Sequence, residues 1–237
     1  MQVTEIQLAT RKIKAYFWDS GLGVGPGIIL LPDLLGVTPS LKHTAKRLSE
    51  EGYHVLMPDL YSGISGGLRF CMKVFFEQAA RLNEDNTAVL NEMHNIVDFF
   101  KAFPYIEANR LGVIGICLTG GFVLHLALRD DIAAPVVFHY SFGTEGAGIP
   151  LGCLRSLNKT IQGHFARHDP LCPESRINAL KQTLGEKFEV HWYPHLPHAI
   201  PHLFRLHPEG RKAWLTMLAF FQQQLRPSLN TEMPRTG

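Results

Sequence analysis

The sequence predicts an α/β fold in which helices cover both faces of a mostly parallel sheet. Short apolar runs alternate along the chain with longer segments whose apolar residues recur every three or four positions. The composition agrees, because 237 residues with 46% hydrophobic and 19% charged side chains can fill one core. No internal repeat or linker interrupts the alternation. Strands that alternate with helices are joined by right-handed crossovers, which makes most neighbouring strands parallel.

Each predicted element is bounded by glycine, proline or a capping residue. Thr38 followed by Pro39 is typical of a helix start, because a hydroxyl there accepts from an amide and proline suits the first turn. The predicted strands are 13–18, 28–31, 54–57, 111–115, 135–140, 160–166 and 187–193. The predicted helices are 39–50, 69–82, 84–103, 118–129, 173–184 and 208–225. Residues 1–225 are expected to form one domain, and the proline-rich and polar tail 226–237 is expected to be disordered.

Segment 21–27 is rich in glycine and separates the first two predicted strands. A dinucleotide-binding glycine loop opens a helix, whereas here an apolar strand follows, so we expect a hairpin turn.

Charge and cysteine usage exclude several classes of function. The 23 Lys and Arg residues balance 21 Asp and Glu to a net charge of +2, and no basic run is present, so no nucleic-acid partner is expected. The four cysteines form no C-x-x-C pair and are expected to be reduced. The N-terminus lacks the continuous apolar run of a secretory signal, which favours a cytoplasmic protein. Residues 111–128 carry no charge, but their glycines fit a buried strand and helix better than a membrane span.

Residues 111–121 are the most informative segment for chemistry. A buried strand ends at Gly115, Cys117 follows, and Thr119 and Gly120 open an apolar helix. This is the pattern of a nucleophile elbow, a strained strand-to-helix turn that needs small neighbours on either side. The Cys117 thiol would sit at a helix N-terminus, which favours the thiolate. The alternative is an ordinary buried core cysteine.

A cysteine nucleophile needs a base and a group that orients the base. Asp169 follows the strand at 160–166, and His198 follows the strand at 187–193, so the order along the chain is nucleophile, acid, base. Asp169 could instead serve only the turn that Pro170 begins.

His195, His198 and His202 have spacings that could place them on one helix face as zinc ligands. Prolines at 194, 197 and 201 disfavour such a helix, so no metal is expected. His195 and His202 are expected to lie at the surface or line a pocket.

The combined motifs resemble the dienelactone hydrolase family of α/β-hydrolases over about residues 5–225. The resemblance depends on segments 32–37, 48–61, 115–118, 169–170 and 197–199. It implies an α/β-hydrolase fold and a Cys117–His198–Asp169 triad. It also implies an oxyanion hole made by the backbone amides of Leu34 and Leu118.

The chain departs from the family pattern at several positions. Thr119 stands at the second small position of the elbow, with a glycine one residue later. Asp33 stands where members place a glutamate beside the thiol, so it is a candidate thiol partner, or else a turn or helix-capping aspartate. His202 stands where members that bind a substrate carboxylate place an arginine. The candidate substrate-binding residues are therefore His202, Arg205, Arg69 and Arg81.

These observations predict a hydrolase that cleaves a small ester or lactone through a thioester acyl-enzyme, without metal or organic cofactor. The expected partner is a small-molecule substrate, and the expected state is a monomer or weak homodimer. Two alternatives stay open: a thiol-sensing or binding protein on the same scaffold, and an acyltransferase.

Overall fold

A computed structural model of the chain describes residues 1–9, 11–62, 87–140 and 151–225. Within these ranges eight strands form one sheet in the order β1-β2-β4-β3-β5-β6-β7-β8. Strands β1 and β2 pair antiparallel, as do β2 and β4, and the other neighbours are parallel. The strands are β1 Gln2–Gln7, β2 Lys12–Trp18, β3 Gly25–Leu31, β4 His54–Pro58, β5 Ile106–Ile116, β6 Ile132–Phe138, β7 Ile161–Ala166 and β8 Phe188–Tyr193.

Helices pack on both faces of the sheet, as the alternation in the sequence predicts. Numbered in order among the described helices, they are α1 Pro39–Glu50, α2 Thr87–Lys101, α3 Leu118–Leu126, α4 Glu174–Leu184 and α5 Pro208–Leu225. Side chains alternate across strand β3, where Ile29 joins the core cluster of α2, α3 and α4, and Ile28 joins that of α1 and α5. The two clusters therefore lie on opposite faces of the sheet.

The predicted cap of α1 is present. The Thr38 side chain accepts a hydrogen bond from the Leu41 amide at 3.2 Å, and Pro39 occupies the first helical position.

The predicted hairpin at 21–27 is wrong. Strand β4 lies between β2 and β3, so the segment crosses the end of β4 instead of joining neighbouring strands. His54, buried at the start of β4, holds the crossing: its Nε2 lies 2.8 Å from the Gly23 carbonyl oxygen, and its Nδ1 accepts from the Ser20 amide at 3.3 Å. Gly21 and Gly23 have φ angles of 74° and 79°. The glycines are therefore needed because the crossing segment adopts left-handed backbone conformations at these two positions.

Several boundaries also differ from the sequence-based expectation. Strand β1 was not predicted, because Ile6 is its one fully buried side chain and the other positions of this edge strand are polar or exposed. Strand β5 begins at Ile106, five residues before the expected start at 111. Helix α3 ends at Leu126, earlier than 129, and α2 runs from Thr87 to Lys101.

Two predicted segments, the helix 69–82 and the tail 226–237, lie outside the described residues. Within the described ranges, no helix has the length and apolar character needed to cross a bilayer. The uncharged segment 111–128 forms the buried end of β5 and helix α3, as expected.

Candidate active site

The predicted site residues lie just beyond the carboxyl ends of the parallel strands. Asp33 follows β3, Cys117 follows β5, Asp169 follows β7 and His198 follows β8. The carboxyl ends of parallel strands meet at one edge of the sheet, where open α/β sheets bind their ligands. The fold therefore brings residues far apart in sequence to a common edge.

Cys117 occupies a strained turn between β5 and α3. Its φ and ψ are 58° and −109°, a conformation that L-residues adopt only when the surroundings impose it. The Cys117 amide donates to the Phe138 carbonyl at 2.9 Å, which ties the turn to neighbouring β6. Cys117 is half-buried, and it stands at the N-cap of α3. This geometry is that of the predicted nucleophile elbow.

The glycines around Cys117 are required by close backbone approaches. A Cβ on Gly115 would lie 2.5 Å from the Thr119 carbonyl oxygen, and a Cβ on Gly120 would lie 2.1 Å from the His139 carbonyl oxygen. The Thr119 side chain fits the second small position because its buried hydroxyl accepts from the Ile116 amide at 2.8 Å and lies 3.2 Å from the Leu31 carbonyl oxygen. The hydroxyl thus supports the turn.

Asp169 and His198 are in direct contact. His198 Nδ1 lies 2.5 Å from Asp169 Oδ2, and Asp169 Oδ1 accepts from the Leu171 amide at 2.9 Å. The Asp169 side chain has no solvent exposure, whereas 19% of the His198 side chain is exposed. The carboxylate is therefore fixed at both oxygens and orients the imidazole.

The charges of this pair are set by opposing effects. Burial disfavours the charged imidazole, but hydrogen bonds to Asp169 and to the Cys117 side chain outweigh it and raise the pKa of His198 to about 9. Burial likewise opposes the charge on Asp169, yet hydrogen bonds from His139 and His198 hold the pKa of Asp169 below its usual value. At neutral pH the arrangement favours an imidazolium beside the Cys117 sulfur and an ionised Asp169.

His139 is a further residue of the site, and the sequence analysis missed it. It follows β6 directly, has a φ of 58°, and is fully buried. Its Nδ1 lies 2.9 Å from Asp169 Oδ2, and its ring centroid lies 4.5 Å from that of His198. Burial lowers the pKa of His139, so the ring is neutral at physiological pH. The sequence did contain a signal for this residue, because His139 lies near the carboxyl end of a predicted buried strand and so falls at the same sheet edge as Asp169.

His139, Asp169 and His198 are also ligand types for a metal ion, and their ligand atoms lie within 4.8 Å of one another. The spacing fits hydrogen bonds better. Two ligands of one tetrahedral zinc ion lie about 3.3 Å apart at usual bond lengths, whereas Asp169 Oδ2 lies 2.5 Å and 2.9 Å from the two imidazole nitrogens.

Asp33 and His202 form a second acid–imidazole pair at this edge. His202 Nε2 lies 2.8 Å from Asp33 Oδ2, while Asp33 Oδ1 accepts from the Leu35 amide at 2.9 Å. Asp33 therefore stabilises a turn, which was the alternative to a role as thiol partner. Its expected pairing with the Cys117 thiol stays a prediction.

The remaining predicted residues are dispersed. The amides of Leu34 and Leu118 donate to no acceptor within the described part of the chain. Arg205 lines a cavity of about 430 Å³ together with His202. His195 lies at the surface, where its Nδ1 is 2.8 Å from Glu209. Arg69 and Arg81 lie outside the described residues.

The mostly parallel eight-stranded sheet, the flanking helices and the positive-φ turn after β5 define an α/β-hydrolase. A putative dienelactone hydrolase from Klebsiella pneumoniae shares this fold, with a TM-score of 0.78 at 22% identity over 94% of this chain and 98% of that chain. A model of the dienelactone hydrolase family matches residues 13–225, so this chain belongs to that family.

Curated relatives agree with the family. A carboxymethylenebutenolidase from Rhodococcus opacus is 26% identical over 222 residues, which cover 87% of this chain and 84% of the relative. Carboxymethylenebutenolidase 1 from Cupriavidus pinatubonensis is 24% identical over 188 residues, covering 76% of this chain and 77% of the relative. The chain is accordingly an ester or lactone hydrolase of the dienelactone hydrolase type.

Proposed function

We propose that this hydrolase cleaves a small ester or lactone through a Cys117–His198–Asp169 triad and a thioester acyl-enzyme. The observation that carries the proposal is the position of Cys117 in a strained turn beside His198, whose Nδ1 lies 2.5 Å from buried Asp169. A core cysteine would not require a positive φ at the N-terminus of a helix. Nor would it require a neighbouring imidazole whose charge is stabilised by a buried carboxylate.

In the proposed reaction, the Cys117 thiolate attacks the substrate carbonyl carbon and the carbonyl oxygen becomes an oxyanion. The imidazolium of His198 then gives its proton to the leaving alcohol oxygen as the C–O bond breaks, and a thioester remains. Neutral His198 next removes a proton from water, which attacks the thioester and releases the acid and the thiolate. Asp169 stays ionised throughout and holds His198 in position.

The backbone amides of Leu34 and Leu118 are proposed to bind the oxyanion. Leu118 opens α3 directly after Cys117, so its N–H belongs to the first turn, where helix amides have no acceptor of their own. Leu34 follows β3, the strand beside β5, and its amide is likewise without an acceptor in the described residues. One such donor typically contributes about 2.7–4 kcal/mol to transition-state stabilisation.

The cavity at His202 and Arg205 is proposed to receive an acidic substituent of the substrate. Its charged or titratable lining side chains are His43, Arg47, His202 and Arg205, and none of the described residues that line it is acidic. Arg205 and Arg47 also lower the pKa of His43, after the larger effect of burial, which is the signature of a positive local field.

The lining of the cavity does not include Cys117, but it includes Pro201, which follows His198 by three residues. His202 joins it to Asp33. A carboxylate in this cavity fits the names of the relatives, which denote enzymes acting on a carboxymethylene-substituted butenolide lactone. Arg69 and Arg81 stay candidates for a second contact with such a group.

The test is turnover of aryl, enol and lactone esters by the wild type, Cys117→Ala and His198→Ala across pH. We expect wild-type turnover, loss in both variants, and an acylated Cys117 by mass spectrometry during turnover of a slow ester. Thermal melts establish that the variants are folded.

Three outcomes contradict the proposal. Activity that survives Cys117→Ala excludes this nucleophile. Rapid alkylation of Cys117 without turnover of any ester favours a thiol sensor instead. Transfer of the acyl group to an added alcohol or amine in preference to water favours an acyltransferase, which product analysis distinguishes from hydrolysis.

A further inference from the structure

We propose that His139 is a positioning residue of the triad, a second imidazole that holds the Asp169 carboxylate so that one oxygen serves both His139 and His198. The role extends the proposed function and rests on it. His139 does not touch the reacting atoms of a substrate, because its side chain is fully buried behind Asp169 and His198.

The contacts of Asp169 show how the carboxylate is held. Oδ1 accepts from the Leu171 amide at 2.9 Å. Oδ2 lies 2.5 Å from His198 Nδ1 and 2.9 Å from His139 Nδ1. A carboxylate oxygen has two lone pairs and can accept from two N–H donors. A backbone amide donates to one oxygen and two imidazole nitrogens lie within hydrogen-bonding distance of the other, so rotation of the carboxylate would lengthen a contact in either direction.

The backbone at His139 is adapted to present the ring to Asp169. Its φ of 58° is uncommon for residues other than glycine, although asparagine, aspartate and histidine adopt it more often than most. The backbone is fixed by the His139 amide, which donates to the His164 carbonyl at 3.1 Å. The His139 carbonyl oxygen lies so close to Gly120 that a Cβ there would be 2.1 Å away. A residue needed only to fill the core would not require this conformation, because an apolar side chain has no donor to aim.

The protonation state of His139 follows from its surroundings. The titratable groups around it are Asp169 and His198 in direct contact, His164 across the strand pair, and the Cys117 and Cys172 thiols near Asp169. Burial lowers the pKa of His139, and a charged His198 lowers it further, although Asp169 acts in the opposite direction. The ring is therefore neutral, with its Nδ1 2.9 Å from the carboxylate oxygen, and in the proposed role this nitrogen carries the proton.

A second donor changes what Asp169 does for His198. A carboxylate that already accepts from His139 is a weaker acceptor for the His198 proton, because each donor withdraws negative charge from the same oxygen. His139 therefore limits the basicity of His198 while it fixes the direction of the ring. Loss of the His139 donor should raise the pH at which His198 deprotonates and loosen its orientation.

The experiment compares His139→Asn, His139→Leu and His139→Gly. Asparagine tolerates a positive φ and offers an N–H close to the position of Nδ1, leucine is similar in size without a donor, and glycine accepts the backbone without a donor. The main readout is the rate of Cys117 alkylation by iodoacetamide as a function of pH, which needs no substrate. Ester turnover and thermal melts accompany it.

We expect His139→Asn to keep the wild-type alkylation profile. In His139→Leu and His139→Gly, the high-pH inflection from His198 should move to higher pH, and kcat should fall about tenfold with little change in KM. The proposal is overturned if the donor-free variants keep the wild-type profile. It is also overturned if His139→Asn is as impaired as His139→Leu, because the N–H would then have no role. If His139→Leu does not fold, the comparison of His139→Gly with His139→Asn tests the proposal instead.

A failure of the proposed function would be recognised separately. In that case the wild type would turn over no ester, while the alkylation profiles of the variants would still report whether His139 acts on the Cys117–His198 pair.

Discussion

His202 Nε2 lies 2.8 Å from Asp33 Oδ2, although 169 positions separate the two residues. Asp33 stands at the end of β3 and His202 in the short helical turn Ile200–Leu203 after His198. The pair replaces, with an aspartate and an imidazole, the glutamate and arginine that the family resemblance places at these positions. The replacement shortens the acid, and an imidazole takes the place of a guanidinium.

Asp33→Asn should accelerate alkylation of Cys117 in the absence of substrate. If the carboxylate stands beside the thiol, its negative charge opposes the thiolate. Removing it should raise the alkylation rate about fivefold, the equivalent of about 1 kcal/mol for a solvated charge at close range. The measurement is the second-order rate with iodoacetamide at pH 7.

Asp59→Asn is the matched control. Asp59 also follows a strand, and its carboxylate also accepts from the amide two residues on, that of Tyr61 at 3.3 Å. Its replacement should leave the alkylation rate unchanged. Equal rates for Asp33→Asn and the wild type would end the assignment of Asp33 as a thiol partner.

The stability of the fold should fall in mildly alkaline solution because of His198. The pKa of His198 is about 9 in the folded chain, above its ordinary value of 6.5, so the folded state binds the proton more tightly. The contribution is fully present below pH 6.5 and is lost as pH rises through 9. It amounts to about 3 kcal/mol, since one pKa unit corresponds to about 1.4 kcal/mol.

Urea unfolding at pH 6, 7.5 and 9 measures this loss. His198→Gln cannot titrate, so the difference in unfolding free energy between wild type and variant should shrink as pH rises. A difference that stays constant from pH 6 to 9 would show that the His198 proton does not stabilise the fold.

Gly120→Ala should destabilise the fold and abolish turnover. The added Cβ would lie 2.1 Å from the His139 carbonyl oxygen, and backbone on both sides must shift to make room. Overpacking of this kind costs about 1–3 kcal/mol. Differential scanning calorimetry and ester turnover measure the two effects.

Gly152→Ala serves as the matched control, because a Cβ at Gly152 meets nothing within 4 Å. It should melt and react like the wild type. Equal behaviour of the two alanine variants would mean that the close approach of His139 to α3 is not needed.

Arg205→Gln should weaken the binding of esters that carry a carboxylate and spare neutral esters. Arg205 is one of four basic residues of the 430 Å³ cavity. A hydrogen bond to a charged group contributes about 1.5–3 kcal/mol, so KM for the acidic ester should rise about tenfold or more. Arg155→Gln is the control, because it removes the same charge from an exposed position that does not line the cavity. It should change the KM of neither the acidic nor the neutral ester. A similar rise in KM for neutral esters would indicate a structural role of Arg205 instead.

Three residues at the carboxyl edge of the sheet could be predicted from the sequence. Cys117, Asp169 and His198 each follow an apolar strand, and the periodicity of the chain places such positions together. The glycine crossover at 21–27 could not be predicted, because whether two successive strands are neighbours depends on where β4 inserts. The pairing of His139 with Asp169 was hidden for a similar reason, since a histidine at a strand end has the same local pattern whether it points into a core or to a carboxylate.

The sequence by itself determined the α/β class, the cap of α1, the small residues around Cys117 and the order along the chain of the residues of the proposed triad. These properties depend on side-chain size, backbone preference and the period of the apolar pattern, all of which are local. Only the tertiary structure decided the strand order, the sharing of Asp169 Oδ2 between His139 and His198, and the contact of Asp33 with His202. Those depend on distances between residues remote in the chain, which the packing of the whole sheet and its helices fixes together.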